Sequence, residues 1–305
     1  MKHFPANDPL KDSAIADMMA ELMTLGPEAR FHTVFRKMIE EVYSRMVPDM
    51  DEFLFSEEFL GFSKRQLYPR VRDVLYIIDR DDVREAYIVA GKGSGKSVIV
   101  GISQLRQLFK LLCYVQPAAY FELLPGTYIA LVNMSINSSQ ALNVIFKRFV
   151  SYLDKLDIFK KLSKQAIVKY KKSEKDKEFS LHDFNLSENL SKYELFSETV
   201  GMITFPDKDI VVMSGHSKAT AFFGYDIFFG SVDEMSWFES GKERIKDMES
   251  LPSEEIFQGL SASGLSRFPK AYKVVAISSP RSRIGDPLWK KFERIKNIGS
   301  VFEVL

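Results

Sequence analysis

The chain has 305 residues, 46% of them hydrophobic, and its 42 lysines and arginines nearly balance 41 aspartates and glutamates. This supports one large α/β domain, with or without a small appendage, and any polyanion-binding surface must be a local patch rather than a whole-chain property. No apolar run approaches the roughly 20 residues of a membrane span, the N-terminal MKHFPANDPLKD lacks the apolar stretch of a secretory signal, and the single Cys113 excludes an internal disulfide framework and suits a reducing cytoplasm.

Residues 12–24 and 29–46 carry helical periodicity, broken at Gly26-Pro27. They predict an N-terminal helical lid over residues 1–60, with Met18, Met19, Met23 and Met46 as packing side chains. In residues 59–78 Ser63 is a candidate N-cap, with Pro69 dividing the segment. Gln66 precedes the motif below by about thirty residues. Its amide is suited to an adenine edge and Tyr68 to stacking on the ring; a surface glutamine beside a packed tyrosine explains the same residues. Asp79-Arg80-Asp81-Asp82 reads as a solvated turn.

The most informative stretch is REAYIVAGKGSGKS, residues 84–97. Tyr87, Ile88, Val89 and Ala90 form a short buried strand. From Ala90 the sequence fits a phosphate-binding loop, A-x-x-x-x-G-K-S, with alanine in place of the first glycine. Gly91, Gly93, Ser94 and Gly95 supply backbone N–H groups around phosphate oxygens. Lys96 reaches the β- and γ-phosphates, and the Ser97 hydroxyl ligates Mg²⁺. VIVGISQLRQLFKLL then continues as a helix whose positive end faces the same phosphates.

A second buried strand is expected at 127–134, followed by a helix at 137–153. The repeated strand–helix order argues for a parallel sheet. Residues 154–195 change character: nine lysines lie between positions 155 and 177. The segment reads as an insertion, either contacting DNA phosphates or forming a solvated helical face with a loop. Residues 201–206 and 210–214 predict a β-hairpin. Residues 227–232 form an apolar strand leading into Asp233-Glu234, where Asp233 is suited to hold Mg²⁺ and Glu234 to deprotonate an attacking water. Helices are expected at 239–251 and 253–265, a strand at 271–277 ending in Ser278-Ser279-Pro280, and a helix from Asp286. The apolar run 300–305 has no closing turn, so the chain is expected to be a domain of a longer protein.

Taken together, the loop AGKGSGKS with its internal Lys92, the strand ending Asp233-Glu234, and Ser278-Ser279-Pro280 before an arginine-rich turn resemble the ATPase domain of large terminase subunits, the DNA-packaging motors of tailed bacteriophages. The resemblance covers about residues 60–305. It implies a P-loop NTPase core of the RecA-like (ASCE) type, with a predominantly parallel β-sheet flanked by helices over residues 61–305. It also implies ATP and Mg²⁺, double-stranded DNA, a portal protein and a small terminase subunit as ligands and partners. A homo-oligomeric ring at the procapsid portal vertex, in the host cytoplasm, is the assembly it points to. By position Lys92 senses the γ-phosphate, Glu234 is the catalytic base, Ser278 and Ser279 couple hydrolysis to movement, and Gln66 reads adenine. Two departures stand out. Phe223 occupies the place of the family's arginine finger, which leaves Lys218, Arg281 and Arg283 as candidate trans-acting cations. The nuclease domain that usually follows is absent from the sequence, so this chain is not expected to cut DNA alone. The remaining readings are a helicase-like or other DNA-processing ATPase, and a nucleotide-dependent assembly switch.

Overall fold

The computed structural model describes residues 39–135, 146–156, 167–172, 175–180, 199–216, 221–237, 253–279 and 288. The chain divides into two compact units, Met1–Met46 and Val47–Leu305. Of the first unit only residues 39–46 are described, and residues 39–42 are helical; residues 1–38 of the expected lid lie outside the described residues, and its residues 47–60 belong to the second unit.

The second unit begins with α1, Met50–Phe55, whose N-cap Asp49 accepts the Glu52 N–H at 2.8 Å. That bond satisfies one of the orphan donors of the first turn. The next helix, α2, spans Pro69–Asp79. It does not begin at Ser63 as expected: residues 63–66 close a turn in which the Ser63 N–H donates to Gln66 Oε1 at 2.6 Å. Proline has no N–H and clashes inside a helix but is preorganised for its first position, so the helix starts at Pro69. Val71, Leu75 and Ile78 recur at helical spacing and are buried.

Strand β1 is Glu85–Val89, followed by the loop and by α3, Lys96–Cys113. From Ile99 to Phe109 every residue of α3 is buried, so this helix is a central pillar rather than an amphipathic surface element. Beyond it lie α4 (Pro117–Tyr120), β2 (Ile129–Ser135) and α5 (Lys147–Lys155). The remaining strands are β3 (Ile167–Lys172), β4 (Lys175–Ser180), β5 (Thr199–Phe205), β6 (Ile210–His216), β7 (Asp226–Asp233) and β8 (Lys273–Ser278), with α6, Ser253–Arg267, between the last two.

All eight described strands join one sheet in the order β1-β8-β7-β2-β6-β5-β3-β4. The pairings from β1 through to β6 are parallel; those joining β6, β5, β3 and β4 are antiparallel. β2 and β8 are buried along their whole length, the pattern of parallel strands covered on both faces. The expected hairpin is β5–β6, turned by a short 3-10 segment at Pro206–Lys208. The lysine-rich segment departs from the expected helical face. Its residues 167–172 and 175–180 are the strand pair β3–β4, which widens the sheet at its antiparallel edge. The predicted helix 239–251, the helix from Asp286 apart from Leu288, and the terminal run 300–305 lie outside the described residues.

Candidate nucleotide-binding site

The sheet order brings the sequence motifs together. One strand, β8, separates β1, which leads into the phosphate-binding loop, from β7, which ends in the acidic pair. In register, Val89 of β1 pairs with Ser278 of β8, and Ile277 pairs with Asp233 of β7. Loop, serines and acids therefore share the C-terminal ends of three adjacent parallel strands, where ligands bind in open α/β sheets.

Gly93 (φ 83) and Gly95 (φ 91) adopt the left-handed region that glycine enters without a Cβ penalty. Added Cβ atoms at Gly91 and Gly93 would meet nothing within 4 Å, so the loop lines open space. At Gly95 a Cβ would stand 2.8 Å from Val71 Cγ2, which sets the first turn of α2 directly against the loop. Lys96 Nζ donates to the carbonyls of Ala90 (3.2 Å) and Gly91 (3.1 Å) and to Ser279 Oγ (2.9 Å). Ser97 follows in the first turn of α3.

Glu234 has φ 54, rare for a residue with a side chain. Its carboxylate accepts the Ser279 N–H at 3.0 Å, lies 3.1 Å from Ser278 Oγ and 3.3 Å from Ser279 Oγ, and is 4.0 Å from Lys96 Nζ. Ser278 Oγ also accepts the Ser236 N–H at 3.2 Å, and the Ser278 carbonyl accepts the Ala90 N–H at 3.0 Å. The two serines thus bridge acid, lysine and loop. Asp233, the last residue of β7, is buried.

The donor set fits a nucleoside triphosphate with a hard divalent cation. Backbone N–H groups at a helix start and an ammonium suit phosphate oxygens, while a hydroxyl and a carboxylate suit Mg²⁺. Among the described residues no three His, Cys, Asp or Glu side chains cluster as metal ligands, so phosphate oxygens and water suit the remaining places in the shell of an ion here.

The family described as "Uncharacterized protein MJ0330, N-terminal P-loop domain" matches residues 58–305. The chain belongs to this family. Its fold is therefore that of a P-loop domain, with a mostly parallel sheet flanked by helices. Among solved structures the chain is similar to the Thermus phage P74-26 large terminase ATPase domain, at 14% identity and TM-score 0.41, over 78% of this chain and 72% of that one. An arginine-to-alanine mutant of that domain gives 13% identity and TM-score 0.43, over 81% and 75%. The HK97 bacteriophage large terminase gives 10% and 0.42, over 78% of this chain and 39% of that one. No curated protein matches the chain.

The remaining expected residues fall in different places. Lys92 is exposed in the loop, and the cation beside Glu234 among the described residues is Lys96. Gln66 and Tyr68 are exposed on the approach to α2, with the Gln66 amide oxygen already engaged by Ser63. Lys218, Arg281 and Arg283 lie outside the described residues. The segment Ala221–Gly224 is a 3-10 turn held by Phe222, whose ring lies where a Cβ on Gly215 would stand (2.2 Å from Cζ). Sequence reasoning missed a polar chain beneath the site, Gln104–Asn133–Ser231. Its one visible signal was Asn133, a polar residue inside the apolar run TYIALVNM.

Proposed function

We propose that this domain hydrolyses ATP and is the motor of a large-terminase-type machine that translocates double-stranded DNA into a procapsid. The observation that carries the hydrolase reading is Glu234, a carboxylate held by two serines at the C-terminal strand ends, 4.0 Å from the loop lysine. In this reading the N–H groups of Gly91, Gly93, Ser94 and Gly95 hold phosphate oxygens, and Lys96 exchanges its carbonyl partners for the β- and γ-phosphates. Ser97 and Asp233 are the residues that would hold Mg²⁺, which when bound neutralises charge on the phosphate oxygens. Glu234 takes the proton of the attacking water. Ser278 and Ser279 hydrogen-bond both Glu234 and, through Ser279, Lys96, so a shift of either group reaches β8 and the loop.

The DNA-motor reading is supported by the motif set: Lys92 inside the loop, the adjacent acids and the Ser-Ser-Pro turn. It carries with it a ring on a portal protein, a small terminase subunit as partner, residues 1–60 as lid, Gln66 at adenine, and a trans-acting cation among Lys218, Arg281 and Arg283.

The test is phosphate release from ATP over a range of protein concentrations, with and without duplex DNA, in the parent and Glu234→Gln. Removing a general base costs roughly 10²–10⁴ in rate, so the variant should bind ATP and release almost no phosphate. Parent turnover per subunit should climb with concentration and with DNA. Equal turnover in both proteins would remove Glu234 from the mechanism.

A further inference from the structure

Gln104 of α3, Asn133 of β2 and Ser231 of β7 are all fully buried and form one polar chain through the interior. Asn133 Nδ2 donates to Gln104 Oε1 at 2.5 Å, and Ser231 Oγ donates to Asn133 Oδ1 at 2.5 Å. Their sequence neighbours Leu105, Val132, Met134 and Val232 are apolar and buried. Such a chain is expensive in a buried interior, the more so because Gln104 Nε2 has no partner among the described residues. An apolar trio would fill the space without that desolvation, so its value lies in what it holds in register.

The register states what is held. Asn133 pairs with Ser231 across β2 and β7, and residues two apart on a strand share a face. Ser231 and Asp233 therefore lie on the side of the sheet where Gln104 of α3 sits. Gln104 is seven residues beyond Ser97, about 10 Å along the same helix. Through Asn133 the helix that starts with Lys96 and Ser97 is tied to the strand that ends in Asp233.

We infer that Asn133 is a positioning residue for the Mg²⁺ site: it fixes α3 against β7 so that the Ser97 hydroxyl and the Asp233 carboxylate address one ion. This rests on the reading of those two residues as the Mg²⁺ ligands. Asn133→Leu removes both hydrogen bonds at similar volume; Ser231→Ala removes one and leaves little space.

The experiment measures affinity for a fluorescent, non-hydrolysable ATP analogue, with Mg²⁺ and in chelator, on the full chain. Without Mg²⁺ both variants should bind within about twofold of the parent, because the loop and Lys96 are intact. The gain in affinity on adding Mg²⁺ should fall about tenfold in Asn133→Leu and a few-fold in Ser231→Ala. Variants that lose thermal stability but keep the parent's Mg²⁺-dependent gain would overturn the inference and leave Asn133 a packing residue. If Asn133→Leu does not fold, Ser231→Ala decides by the same comparison. A parent with no Mg²⁺-dependent gain would overturn the Ser97–Asp233 reading and this inference with it; a parent gain unaltered in the variants removes this inference alone.

Discussion

Glu234 illustrates how a single residue is held ready. A side chain at positive φ costs about 1–2 kcal/mol, while hydrogen bonds to a charged group return roughly 1.5–3 kcal/mol each. The Ser279 N–H and the hydroxyls of Ser278 and Ser279 therefore outweigh the strain. Lys273 shows the opposite balance. It is buried at the start of β8, donates to the carbonyls of Arg80 and Val83, and is pushed down to about 8 by burial and then by Lys110 and Arg84. Its folded form gives up the proton earlier than the unfolded form does. Between about 8 and the ordinary value of 10.5 the unfolded state binds more protons, so this lysine makes stability rise with pH there. Burial raises Tyr87, which opposes that trend only as the pH nears the ordinary tyrosine range of about 10. Denaturation midpoints at three values between pH 7.5 and 9.5 should rise in the parent and stay flat in Lys273→Met. A parallel rise in both would remove Lys273 as the cause.

Among elements, the phosphate loop is in close contact with α2 through Gly95 and Val71. Gly95→Ala would place a methyl 2.8 Å from Val71 Cγ2 at φ 91. The backbone strain alone is about 1–2 kcal/mol, and the stiff β-branched Val71 cannot rotate away freely. The variant should lose at least that much stability in chemical denaturation, and it should bind nucleotide more weakly. Unchanged affinity would show that α2 yields without disturbing the loop. At its far end α2 is anchored by Asp79, which pairs with Arg106 at 3.2 Å and Lys110 at 2.7 Å, both on α3. The two helices are thus joined at both ends, by packing near the loop and by charge away from it.

At the scale of the whole molecule, the parallel half of the sheet carries the site, and the antiparallel half ends in the lysine-rich pair β3–β4. Two explanations compete for those lysines. They guard β4, the last strand of the sheet among the described residues, from pairing with another chain, or they meet nucleic-acid phosphate. Each lysine that contacts a phosphate contributes about 0.9 to the slope of log affinity against log salt. Neutralising several lysines between positions 155 and 177 should flatten the slope for duplex DNA accordingly. An unchanged slope, with aggregation appearing instead, would assign them to edge protection.

The parts whose physics is local are legible in the residues alone. The strand–loop–helix around Lys96 was legible because glycine spacing and apolar runs act over a few residues, and the strand ending in Asp233 was legible for the same reason. Pro69 marks the start of α2, whose N-cap is Tyr68, so the competing Ser63 cap places the boundary five residues early. The tertiary structure alone decided that β8 stands between loop and acids, that Ser278 and Ser279 clasp Glu234, and that Asn133 links α3 to β7. Those outcomes depend on strand order and register, which are set by packing between segments from 29 to 183 residues apart. The strand pair at 167–172 and 175–180 replaces a helical face because charge composition does not distinguish a solvated helix from a strand pair; only its pairing with β5 does.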